Sequence, residues 1–132
     1  MTPAVFLRAC AAEPWQVGWS DCIGVVARWI EHCGRGRATA YLPPAGDEEA
    51  ARLWLGVQGG LKEAMRTSAL KLDLGTTPTP KPGDVAHLYL ADGQETAAIR
   101  MASAWGARGR GGLLVLRDRL VTPTVWSLDL GR

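Results

Sequence analysis

The sequence predicts an α+β domain, with helices in its first half and strands in its second. Three observations carry this. Apolar residues recur at three- and four-residue spacing from Pro3 to Leu72, the breaker-dense segment GTTPTPKPGD follows, and beyond Pro82 the chain alternates in the manner of β-strands. At 132 residues, 47% hydrophobic and 21% charged, the chain has enough apolar matter for one core and too little length for two lobes. We therefore expect a single domain over 1–132, with a helical half of about 1–75, a linker of about 75–82 and a sheet half of about 83–132.

Val5, Phe6, Leu7 and Cys10 place a first helix over Pro3 to Ala12, stopped by Glu13-Pro14. The segment WQVGWS is too rich in glycine and large aromatics to continue it. Ser20 or Asp21 then caps a second helix, Asp21 to Cys33, whose Ile23, Val26, Ala27, Ile30 and Cys33 form a buried stripe. After the glycines of GRGRA and the loop TAYLPPAGD, Asp47 caps a third helix running to Gln58 with Leu53, Trp54 and Val57. Gly59-Gly60 turns the chain into a fourth, LKEAMRTSALKL. In the second half, DVAHLYLA and TAAIRMASA flank the turn ADGQE as a hairpin, GARGRGG is read as a second turn, and LLVLRD and TVWSLDL complete an antiparallel sheet of about four strands.

Composition narrows the function classes. Fifteen Lys and Arg against thirteen Asp and Glu give a net charge of +2, too small to indicate nucleic-acid binding. The clustered Arg35 with Arg37 and Arg108 with Arg110 are interleaved with glycine and read as loops; RGRGG lacks the ordered phosphate-loop pattern and opens no helix. Six of nine aromatics are Trp, suited to a protein or glycan contact as well as to a core. No apolar run approaches the roughly 18 residues of a membrane span, and the opening MTPAVFLRACAAEP lacks a basic start followed by a long apolar stretch, so synthesis in the cytoplasm without a signal peptide is expected. The odd trio Cys10, Cys22 and Cys33 has no CxxC spacing, so neither a disulfide framework nor a metal site is expected.

Cys22 is the most informative position. At the start of a helix its thiol would feel exposed amides and the positive end of the dipole, which favour the thiolate and suit a nucleophile. The competing reading is a small buried apolar residue, the role assigned to Cys10 and Cys33. The run WQVGWSDCIGVVARWIEHCGRGRA, followed some fifty residues later by KPGDVAHLYLADGQETAAIRM, resembles the NlpC-type cell-wall cysteine peptidases and their small relatives among phage tail proteins. The resemblance covers roughly Trp15 to Leu116 and implies a papain-like fold with Cys22 at the nucleophile position. It further implies a tail-tip or baseplate-hub component of a phage or phage-like particle that cleaves a peptidoglycan peptide without a cofactor, partnered by other tail proteins. The alternative is a catalytically inactive structural protein that keeps the fold and docks on its neighbours.

The family places its histidine base at the start of the second strand, where this chain has Glu95 or Thr96. His32 lies on the same helix as Cys22, ten residues and about 15 Å away. If Leu90 pairs with Thr96, His87 lies roughly 10 Å from the base position, and it is either a substitute base brought closer by a register shift or a strand residue with its polar tip at the surface. Glu95 is a poor base for a thiol unless buried. Asp21 would orient substrate or simply cap the helix. Trp15 and Trp19, which flank the cysteine loop, would stack a sugar or peptide, or close over the core.

Overall fold

The computed structural model describes residues 1–129, and the final residue of the expected TVWSLDL strand, Leu130, lies outside them. Four α-helices come first: α1 (Pro3–Ala11), α2 (Cys22–His32), α3 (Glu48–Gln58) and α4 (Leu61–Lys71), with a 3₁₀ turn at Ala38–Tyr41. Side chains supply partners for the unpaired amides at three of the starts. Thr2 accepts from the Val5 amide, Asp47 from the Ala50 amide, and Asp21 from Gly24 and, with its other oxygen, from Gly18. Gly59 ends α3 in the left-handed conformation, at φ 90°.

Five strands follow: β1 (Val85–Leu90), β2 (Glu95–Arg100), β3 (Trp105–Gly109), β4 (Gly112–Leu116) and β5 (Val121–Trp126). They form one antiparallel sheet in the order β4-β3-β2-β1-β5. The strand absent from the sequence reading is β3. GARGRGG is mostly strand, and only Arg110-Gly111 turns, because Trp105, Ala107 and Arg108 are buried and Gly106 admits α1. A Cβ at Gly106 would lie 2.4 Å from Leu7 Cδ1, so a side chain there would push α1 off the sheet. Arg108 is therefore a buried strand residue and not a loop residue; it donates to the Glu13 carbonyl at 2.9 Å.

The helices cover one sheet face. Leu7, Val25, Val26, Trp29, Ile30 and Met65 pack there against Val85, Ala97, Ile99 and Trp126. The other face holds a second cluster of Ala86, Leu88, Ala98, Trp105, Ala107 and Val125, with Leu116 and Val121 packed at its margin. Those two residues belong to the opposite edge strands. In a flat five-stranded sheet the edges stand about 19 Å apart, yet Leu116 and Val121 are joined by four residues, three of them in a 3₁₀ turn. Five extended residue steps reach at most about 18 Å. The sheet must therefore curl, and Arg100 of β2 holds the connection by an ion pair to Asp118 at 2.6 Å.

The segment Pro82-Gly83-Asp84-Val85 locks the helical half to the sheet. The buried indole of Trp29 donates to the Gly83 carbonyl at 2.8 Å, and the buried Asp84 carboxylate accepts from the Lys81 and Leu128 amides. The segment expected as a plain linker also pairs with β5, since Thr77 donates to the Val125 carbonyl and Ser127 to that of Gly75. Replacing Trp29→Phe keeps a ring in the core but strips the Gly83 carbonyl of its buried donor. Urea unfolding should show a loss of about 1–3 kcal/mol with an unchanged slope.

Candidate functional site

The start of α2 is built by a tightly held loop. Gly24 lies so close to the preceding turn that a Cβ would sit 2.4 Å from the Trp19 carbonyl oxygen. The Ser20 hydroxyl donates to the Pro14 carbonyl at 2.6 Å, and Arg28 grips the Glu13 carboxylate at 2.6 and 3.1 Å. Arginines also take one face of each loop tryptophan: Arg28 lies 4.4 Å from the Trp19 ring and Arg110 4.1 Å from Trp15. Trp19 remains exposed and Trp15 half-buried, so neither closes over the core as a buried residue.

Cys22 is the first residue of α2 and packs against the main core cluster. The groups acting on its thiol include the Ala97 amide and the Thr96 hydroxyl from β2, so the candidate base position does meet the sulfur, with Thr96 and not Glu95 beside it. The β-ladder explains this placement. The Arg100 amide donates to the Asp84 carbonyl and the Leu90 amide to the Gln94 carbonyl, so the Ala97 amide, three residues before Arg100 on the alternating ladder, points away from β1. Strand β2 pairs with β3 only from Ile99 onward, and the start of α2 meets β2 at its open stretch.

The expected thiolate does not result. Burial pushes the Cys22 thiol above its ordinary value, and the Asp21 carboxylate adds to the rise; the Ala97 amide, the Thr96 hydroxyl and the Ile23 amide oppose it without overcoming it. Helix-start position was the signal read from sequence, and desolvation outweighs it. Asp21 itself is spent on capping, with both carboxylate oxygens engaged by the Gly18 and Gly24 amides, and burial raises its pKa. Cys10 and Cys33 are also raised by burial.

The two histidines separate clearly. His32 is exposed and stacks with Trp29 and Phe6 at the far end of α2. For His87 the register corrects the expectation. Leu88, not Leu90, stands opposite Thr96, which sets His87 directly across from Ala97, next to the base position. Its side chain is fully buried, not a surface tip, and its Nε2 meets Glu95 Oε1 at 2.6 Å. The Nδ1 atom has no hydrogen-bond partner, so His87 is not bonded to Cys22. This His87–Glu95 pair is the grouping that sequence reading missed. Each residue was considered alone, and the eight-residue spacing across a hairpin was the available signal.

Among the described residues no three His, Cys, Asp or Glu side chains gather in a way that would hold a metal ion, and no helix is long and apolar enough to cross a membrane. Comparison with protein-family models, curated proteins and solved structures finds no match.

A raised thiol pKa has two measurable effects. At pH 7.5, iodoacetamide should label Cys22 at least tenfold more slowly than a free cysteine, as read by peptide mass spectrometry. The thiol holds its proton more firmly in the folded chain than in the unfolded one. Its contribution to stability is thus whole below the unfolded value of about 8.5 and lost as pH rises through the folded value. Cys22→Ala should consequently lose less stability than the native chain as pH rises above about 8.5 in parallel urea titrations.

Proposed function

We propose that the chain is a tail-tip or baseplate-hub component of a phage or phage-like particle, with an NlpC-type papain-like fold whose hydrolytic site is silent. The observation that carries this reading is the pairing of Cys22 with Thr96. A residue at the nucleophile position of the central helix meets the strand position where that family has its base, and finds a hydroxyl that cannot take its proton. Thiol chemistry needs a proton acceptor near neutral pKa within reach, and the Thr96 hydroxyl beside Cys22 is not one. The retained architecture of a helix-start cysteine, a PGDV strand start and a covering sheet then serves assembly. Helix α3 supports that role: it buries none of its residues, and its Leu53 and Val57 are 67% and 85% exposed.

The purified chain should release no peptides from peptidoglycan sacculi, and Cys22→Ala should assemble into particles at the native titre. Cys22-dependent release of sacculus peptides overturns the silent-site reading.

One observation favours an active hydrolase. His87 and Glu95 form an imidazole–carboxylate pair on the strand next to Thr96, with Nδ1 unengaged. If this pair serves Cys22 as base and orienting group, sacculus digestion should disappear in His87→Gln and fall in Glu95→Gln.

A further inference from the structure

The two edges of the sheet are finished differently. On β5 the Thr77 amide takes the Val125 carbonyl at 3.0 Å from outside the strand pair, so alternation turns Pro123 outward as well, and proline has no amide to offer. The outer flank of β5 therefore cannot template a further strand.

Strand β4 has no such protection. The Met101 amide donates to the Ala104 carbonyl at 2.8 Å, which makes Ile99 and Gly106 the next bonded pair between β2 and β3. Gly106 thus faces β2, and its neighbour Ala107 faces β4, where it stands opposite Leu114. The main-chain groups of Gly112, Leu114 and Leu116 accordingly point to β3, and those of Leu113 and Val115 point outward. Among the described residues no strand pairs with them. Sheet edges are ordinarily blunted by charge or proline, yet GLLVL carries neither, and its Leu114 and Val115 are 44% and 57% exposed.

A row of outward backbone groups is matched by another extended strand, and β4 is its own complement. In an antiparallel pair of β4 strands centred on Leu114, Leu113 of each copy exchanges hydrogen bonds with Val115 of the other, Leu114 meets Leu114, and Gly112 meets Leu116. Arg117 is extended, so the line of the strand runs on to Asp118, and the same centring sets Arg110 of each copy opposite Asp118 of the other. Both side chains are largely exposed, and each already has a partner in its own copy, Glu48 for Arg110 and Arg100 for Asp118. Their meeting therefore fixes register more than it adds affinity. Centring on Leu113 would set Arg110 against Leu116, and centring on Val115 would set Arg117 against Leu113.

We propose that two copies of this chain associate through β4, antiparallel about a two-fold axis at Leu114, into one continuous sheet with five strands from each copy. The pairing uses up the bare edge of both copies and leaves only the closed β5 edges outside, so assembly stops at two. Cys22 meets residues of β2 and not of β4, so the dimer stands whether or not the chain is a hydrolase.

Sedimentation velocity of the full chain, from micromolar concentration to about 0.5 mM, should show 14.2 kDa converting to twice that mass. Leu114→Lys sets like charges face to face and should weaken the dimer at least tenfold. Val115→Pro removes an outward amide without touching the β3 ladder and should do the same. Leu114 is exposed, so its substitution reads out even if the proline variant fails to fold. The Leu114 pair lies between hydrogen-bonded pairs, which sets its Cα atoms about 4.5 Å apart, within disulfide range. Leu114→Cys should therefore oxidise to a dimer linked through that position, and Val57→Cys, on the exposed face of α3, should not. Arg110→Asp and Asp118→Arg should each weaken association and restore it when combined. The proposal is overturned if assembly continues beyond two, if Leu114→Lys associates as the native chain does, or if the cross-link forms at Val57→Cys and not at Leu114→Cys. A chain that stays monomeric overturns it too, and the β4 edge is then left to a strand of a different protein.

Discussion

The structure depends on how α2 is fastened to the sheet. A helix with a buried apolar stripe can slide or rotate on a pleated surface, because dispersion and burial are not directional. One polar contact removes that freedom. The Trp29 indole reaches the Gly83 carbonyl across 54 positions of sequence at the mouth of β1, and a buried carbonyl deprived of this donor would go unsatisfied. With that distance set, Cys22 at the other end of the helix, about two turns away, falls beside Thr96 and Ala97. The geometry of the candidate site is thus inherited from a contact remote from it.

Much of this was legible in the sequence. The four helices follow from their apolar spacing and from Asp21 and Asp47 as caps, and the observed bounds differ by a residue or so. What escaped reading was the part settled by tertiary contact. Strand β3 is hidden because Gly106, Arg108 and Gly109 carry turn propensities, while the α1 side chain that needs Gly106 glycine lies a hundred residues earlier. Arg108 looks like a solvated cation and is buried because the Glu13 carbonyl accepts its hydrogen bond. The hairpin register depended on how many residues the turn consumed, and a shift of two positions moved His87 from the margin to the interior. The Cys22 environment was half visible: the residue and its helix start could be placed, but the desolvation that decides its acidity comes from neighbours that only the fold assembles.

The polar groups near that cysteine show a consistent economy. Asp21 is committed to amides, Glu13 to Arg28, and Glu95 to His87. Each of these carboxylates thus has its partner, and the hydroxyl of Thr96 turns to the Ala97 carbonyl as well. A buried polar network so fully engaged is rigid and gains little by moving a proton. The unengaged Nδ1 of His87 is the exception, held in the dry interior at a free-energy cost that the surrounding sheet sustains.

The curl of the sheet also orders events during synthesis. Strands β1 with β2 and β3 with β4 are neighbours in sequence and close locally, whereas β5 must return past three strands to reach β1. Until Trp126 has emerged from the ribosome, β1 presents a bare flank, residues 75–77 have nothing to pair with, and the second cluster lacks Val125. A chain halted before Val121 would therefore expose an unpaired edge beside unburied apolar residues, the combination that invites intermolecular strand pairing. The short bridge from β4 keeps this interval brief, since a loop of four residues costs little entropy to close once its strand is available.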